Sequence, residues 1–337
     1  MTKVAPGGVI SVNGKDRKKK QGKRKGENPE EIGAAGPPML DPRAMEKMFA
    51  DINHLLGQRE FESVEEMNAF LQKALASEEG IPPAPPPETP LEKAQELVYE
   101  ALETTNQRKR LQLARKALKV SKDCADAYVL LAEETAKNLD EAIELYEQGV
   151  EAGERALGPE AFEEGEGHFW GILETRPYMR ARHGLAFCLW EAGEREKAIE
   201  HYTEMLRLNP GDNQGIRYLL AGHLLEEGSD EALGELLRRY EDDIAASWVY
   251  TRTLWTFRKE GASKEAAAAL EEALEANPFV PLYLLGQKRL PTVPPELIGL
   301  GDEREAVSYA MEDLTVWLKT PGALEWLREH APESPGE

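Results

Sequence analysis

A chain of 337 residues, 31% of them charged and 41% apolar, with a mean hydropathy of −0.54, can build a core in water. No apolar run reaches the ~18–20 residues of a membrane-spanning helix, no apolar leader opens the sequence, and Cys124 and Cys188 are too few and too distant for a disulfide framework. The expectation is a cytoplasmic protein that does not enter a membrane. The net charge of −21 hides a split of +6 over residues 1–30 and −27 over the rest, so the body repels nucleic acid, while the tail could attract it or fold back onto the body.

In chain order, residues 1–40 are Gly-, Lys- and Pro-rich, without apolar periodicity, and predict a disordered basic tail. Lys18-Lys19-Lys20 and Lys23-Arg24-Lys25 carry three open readings: a solubilising tail, salt-sensitive contact with RNA or DNA, or contact with the acidic body. Residues 41–76 predict a small helical module. Met45, Met48, Phe49, Ile52, Leu55 and Leu56 have helical spacing up to Gly57, and Ser63 with Glu66 forms a capping box before a second stripe of Met67, Phe70, Leu71 and Leu75. Residues 77–90, with six prolines, read as an extended linker. It ends at Thr89-Pro90-Leu91-Glu92, a cap with Pro at the first helical position.

Residues 91–178 predict divergent hairpins: 91–104 with 106–120, then 125–137 with 139–157, followed by an inserted loop with a short helix. Its segment Gly165-Glu166-Gly167-His168-Phe169-Trp170-Gly171 reads either as a binding corner or, preferably, as an aromatic plug. Residues 179–280 show a repeat. Gly193, Ala198, Met205 and Pro210 recur 68 positions on as Gly261, Ala266, Ala273 and Pro278, with Leu270 in the place of Tyr202. Sixty-eight is twice the 34-residue tetratricopeptide period. A degenerate middle unit starting at Asn213 places Ala232 and Leu236 in register with Ala198 and Tyr202. Residues 281–337 predict a capping region: a packed loop to Gly301, a helix capped by Asp302, and a short helix opened by Pro321-Gly322. The predicted fold is all-α, an α-solenoid of tetratricopeptide-like helical hairpins with a small N-terminal helical module.

Two stretches carry a likeness to known proteins. Ala273-Leu274-Glu275-Ala276-Asn277-Pro278-Phe279-Val280-Pro281-Leu282-Tyr283-Leu284-Leu285 is one. The other holds Pro294-Pro295-Glu296, Gly301-Asp302, Glu305-Ala306-Val307-Ser308-Tyr309-Ala310, Trp317 and Gly322-Ala323-Leu324. Over roughly residues 180–327 the chain resembles the suppressor of tumorigenicity protein 7 family. The resemblance implies a soluble helical-repeat core and brings no catalytic residues with it.

No GxxxxGK[ST], GxSxG or HExxH motif is present, and the six histidines are scattered. The expectation is a non-enzymatic interaction scaffold without cofactor or metal. A nucleic-acid- or ribosome-associated factor docking through the tail is the alternative, and an enzyme built on the Gly165–Arg180 loop is a third reading. In this repeat class, positions 2, 5, 9, 12 and 13 of each unit line a concave groove. Counting from Met179, Asn213 and Ser247 selects Arg180, His183, Phe187, Trp190, Arg217, Trp248, Trp255 and Arg258 as partner-binding residues. Arg and His would hold acidic groups of a protein or peptide ligand, and Trp would anchor it. The competing reading has the tryptophans packing between units and the arginines pairing with neighbouring acids.

Overall fold

The computed structural model describes residues 43, 45–57, 59–76 and 86–331, together with a two-residue antiparallel pairing of Val4–Ala5 with Val9–Ile10. The basic tail and most of the Pro-rich linker lie outside the described residues. From residue 43 onward, every regular element among the described residues is helical. The chain divides into two compact units, Met1–Gly211 and Asp212–Glu337.

The first unit holds α1 (Met45–Gly57), α2 (Val64–Ala76), α3 (Pro90–Leu102), α4 (Gln107–Val120), α5 (Ala125–Thr135), α6 (Leu139–Glu164), α7 (Arg176–Glu191) and α8 (Arg195–Leu208). Capping chemistry sets the starts. The Thr89 hydroxyl accepts from the Glu92 N–H at 3.1 Å, and the Glu92 carboxylate accepts from the Thr89 and Glu88 N–H groups. At α2 the Ser63 hydroxyl accepts from Glu66 N–H as expected, but the Glu66 carboxylate reaches one residue further back, to Glu62 N–H. Asn106 and Asn138 cap α4 and α6.

The helix expected to stop at Leu157 breaks there and then resumes. Gly158 takes φ +69° and Pro159 lacks the N–H that would continue the ladder, yet helical structure returns through Glu164. Helix α3 packs on α4, α5 on α6, and α7 on α6, α8 and α5. Small residues permit these close approaches: Ala94, Ala101, Ala114, Ala117 and Ala127 are solvent-free. At Gly184 an added Cβ would stand 2.2 Å from the Tyr146 ring. Both cysteines are free and buried.

The second unit holds α9 (Ile216–Glu227), α10 (Asp230–Arg239), α11 (Ala246–Glu260), α12 (Lys264–Ala276), α13 (Val280–Leu284), α14 (Glu303–Lys319) and α15 (Ala323–His330). The repeat residues fill their expected places at α8 and α12. Ala198 and Ala266 are fully buried, as are Tyr202 and Leu270 to within 2%. In α10 Leu236 is buried at its expected place, but Ala232 is exposed, and Leu233 and Leu237 are buried as well. The turn at Gly228 comes one residue later than in the other pairs.

Val280–Leu284 is a short helix rather than loop, and Asp302 caps α14 through the N–H groups of Arg304 and Glu305. The residues behind the family likeness form a buried polar knot here. Asn277, fully buried, donates to the Asp302 carbonyl at 2.9 Å and to the Glu305 carboxylate at 2.8 Å. Glu305 also accepts from the N–H groups of Ala246 and Gly301, and Tyr250 Oη donates to the Asn277 carbonyl. The knot ties α14 to α11 and α12. Asn277→Ala leaves a buried carboxylate short of a donor, and urea unfolding is expected to show a loss of about 2–3 kcal/mol. A loss below about 0.5 kcal/mol would mean that the knot is not under load.

Candidate functional site

In the first unit, charged side chains from four helices meet. Helix α7 begins at Arg176, three residues earlier than the repeat count placed its unit. Arg176 and Arg180 therefore lie one turn apart on the same face. The preceding loop aims Arg176. Phe169, fully buried, packs on Phe162 and Tyr178 with ring centroids 5.2 and 5.9 Å away, which supports the plug reading. Trp170 follows it, and its carbonyl accepts from Arg176 Nε at 2.9 Å while its ring lies 5.3 Å below the guanidinium.

Arg180 grips Asp126 of α5 with both arms, Nε to Oδ1 at 2.8 Å and Nη2 to Oδ2 at 2.7 Å. Its third nitrogen reaches Glu46 of α1 at 2.8 Å, and Arg176 reaches the same oxygen at 3.3 Å. Glu46, on the far side of 134 residues of sequence, is 7% exposed. Around it, Arg43 forms a two-pronged pair with Glu133 at 3.1 and 2.8 Å. Lys47 meets Glu96 of α3 at 2.5 Å, and Gln95 of α3 donates to Asp126 at 2.9 Å.

Burial alone would raise the Asp126 carboxyl. The charge and hydrogen bonds of Arg180, helped by Arg43 and Gln95, outweigh it and hold the carboxyl below its ordinary value. Arg180 keeps its proton more firmly than usual. Burial opposes the charge, but Asp126 and Glu46 overcome that penalty. The arrangement is a charge-matched seat in which a guanidinium pair holds two carboxylates, one from a fixed helix and one from α1.

Of the residues the repeat count selected in this unit, Arg180 sits at the centre of that seat. His183 is half-buried with its ring edge-on to Tyr202, and desolvation lowers its pKa to about 4. With that pKa the ring is neutral at pH 7. Phe187 and Trp190 are half-buried, and the Arg195 guanidinium lies 4.7 Å over the Trp190 ring.

In the second unit the arginines pair with neighbouring acids and the tryptophans pack. Arg217 contacts Asp243 at 2.6 Å and Asp212 at 2.9 Å, with the Tyr218 hydroxyl at 2.6 Å. Trp248 is fully buried, its ring edge-on to Tyr218 and Tyr240. It lines no surface, because those two rings occupy the side the count had left open. Trp255 packs on Gly234, where an added Cβ would stand 2.6 Å from the indole, and its N–H donates to the Asp230 carbonyl. Arg258 donates to the Leu225 carbonyl at 2.6 Å and pairs with Asp230 at 3.2 Å.

The sequence reading missed Glu46, Asp126, Arg176, Arg43 and Glu133. The four-residue spacing of Arg176 and Arg180 was the available signal, and starting the unit at Met179 cut it in two. Among the described residues no group of three His, Cys, Asp or Glu side chains could hold a metal ion, and no helix is long and apolar enough to cross a membrane.

These features define an all-helical protein of neighbouring helix pairs that carries a charge-matched face in its first unit. The family described as ST7 protein matches residues 88–331, and the chain belongs to that family. Residues 242 in number align at 31% identity with "Suppressor of tumorigenicity 7 protein-like" of Bos taurus, covering 65% of this chain and 43% of the relative. The Homo sapiens protein of the same name is also 31% identical, over 65% and 42%. "Protein ST7 homolog" of Drosophila melanogaster is 29% identical over 258 residues, 68% of this chain and 48% of the relative. The chain thus spans less than half the length of these relatives. The family match starts at residue 88, well before the point where the sequence likeness was first visible, so the divergent hairpins and Asp126 fall inside it.

Proposed function

We propose that the protein is a non-enzymatic, cytoplasmic interaction scaffold whose helix pairs are tetratricopeptide-like repeats, and that its first unit presents a seat for a carboxylate-bearing segment of a partner protein. One observation carries this reading. Arg180, selected from the repeat register as a groove residue, holds the carboxylate of Glu46 from a helix 134 positions away. The recurrence of Gly193, Ala198 and Pro210 after 68 residues, and the succession of helices in pairs, support the repeat assignment. Arg offers the planar fork that suits carboxylates, and such contacts are where binding energy concentrates.

The test is affinity recovery from nuclease-treated extract with the full chain and with Arg176→Glu. Arg176 is chosen because it touches Glu46 while Asp126 keeps its partner in Arg180. A protein recovered by the wild type and reduced at least about tenfold with the variant, at unchanged circular dichroism, is the expected result. Equal recovery by both forms, or recovery abolished by nuclease, contradicts the reading.

A further inference from the structure

The contacts of α1 specify what the seat accepts. Within five positions, Arg43 just before α1 and Glu46 and Lys47 in its first turn set a cation, a carboxylate and a cation against groups of opposite sign. Arg43 meets Glu133, Glu46 meets Arg176 and Arg180, and Lys47 meets Glu96. Glu46 and Lys47 belong to the first turn of α1 and Arg43 to the residues just before it, so the pattern is read at the N-terminal end of one helix. The receiving groups come from α3, α5 and α7, and each is fixed by its own helix.

The manner in which α1 is held is unusual for a permanent element. A surface helix normally buries its apolar stripe and exposes its polar one. Here Glu46 is the buried residue, while Met45, Met48 and Phe49 are 55%, 47% and 44% exposed. Long charged side chains attach its first turn, Ile52, Leu55 and Leu56 are half-buried further along, and the closest helix packings among the described residues of the unit run between α3, α4, α5, α6, α7 and α8. The Lys47–Glu96 pair retains partial solvent access, so it contributes modestly and is screened by salt, while the buried Glu46 pairs hold only as long as both partners are present. A tether, however, keeps an occupant at an effective concentration on the order of millimolar.

We propose that the α3–α5–α7 face is a helix-docking surface, that α1 is its resident occupant in cis, and that the partner is a helix whose N-terminal end carries the same cation-x-x-carboxylate-cation pattern, which binds by displacing α1. This inference rests on the scaffold reading and adds its specificity and its regulation.

The experiment uses the full chain, wild type and Glu46→Lys, with a fluorescent peptide of residues 41–59 as the probe. Glu46→Lys sets a cation against Arg176 and Arg180, so α1 is expected to leave and its amides to lose hydrogen-exchange protection. The peptide is then expected to bind the variant at least about tenfold more tightly than the wild type. Raising salt to about 0.5 M weakens that binding, and a peptide bearing its own Glu46→Lys change does not bind. Unchanged protection of residues 45–57 in the variant overturns the proposal, because α1 is then held by something else. Release of α1 with no peptide binding to either form also overturns it. In either case an Arg176-dependent partner recovered from extract leaves the scaffold reading standing. Peptide binding as expected, with no such partner, leaves the docking surface and removes the scaffold.

Discussion

Arg180→Ala is expected to destabilise the first unit by about 3–5 kcal/mol in urea unfolding, because it strands the buried Asp126 carboxylate and leaves Glu46 to Arg176. Asp126 is 2% exposed, and Gln95 is left as its one short contact from a neighbouring helix. Replacing the pair together, Arg180→Met with Asp126→Leu, should recover most of the loss, since a well-packed apolar pair often matches a buried ion pair. The pH dependence has a definite sign. The folded Asp126 carboxyl lies below its ordinary value of 3.8, so its contribution is present above that pH and is lost as pH falls through the lower, folded value. In the Arg180→Ala protein this acid limb should flatten. An Arg180→Ala protein within about 1 kcal/mol of the wild type would show that the seat is solvated and contributes little.

Asp313→Asn is expected to do the opposite and stabilise the second unit. Asp313 lies on α14, 8% exposed, with its Oδ1 near Gly222 of α9. Burial, reinforced by the charges of Glu312 and Glu226, pushes its carboxyl up to about 8. Lys319 meets Glu226 at 3.9 Å from an exposed position. A raised carboxyl binds a proton in the folded state that the unfolded chain gives up near pH 4. Stability therefore falls as pH rises from about 4 to about 8 and levels off above that. Asparagine is isosteric and uncharged, so the variant's advantage should grow across that window to about 2–5 kcal/mol at pH 8. Parallel thermal melts at pH 4, 6 and 8 read this directly. A constant difference across the three values would show that Asp313 is ionised throughout.

The helix starts, the buried Ala and Tyr or Leu of α8 and α12, and the C-terminal helices were legible because their causes are local. Thr89 caps through Glu92 three residues away, and Ala198 and Tyr202 face inward because four residues make one helical turn. The degenerate pair was legible only to within one residue. Leu236 is buried where the period puts it, but Ala232 is exposed and Leu233 is buried instead, and a fixed period has no means of registering that change. The ion-pair partners were not legible. Asp126 and Glu46 stand 54 and 134 positions from Arg180, and nothing local distinguishes them from the other acids of a strongly acidic chain. Trp248 shows the same limit. Its position in the count fits a groove, but Tyr218 and Tyr240 close over it, and their approach depends on how three helices pack.

The central claim is that the α3–α5–α7 face receives a partner's helix at Arg176 and Arg180. Hydrogen-exchange mass spectrometry on the recovered complex tests it most directly, with the free chain as reference. The account predicts added protection on α3, α5 and α7 around Glu96, Asp126 and Arg180, together with lost protection over residues 45–57. Protection confined to other helices, with α1 unchanged, would contradict it.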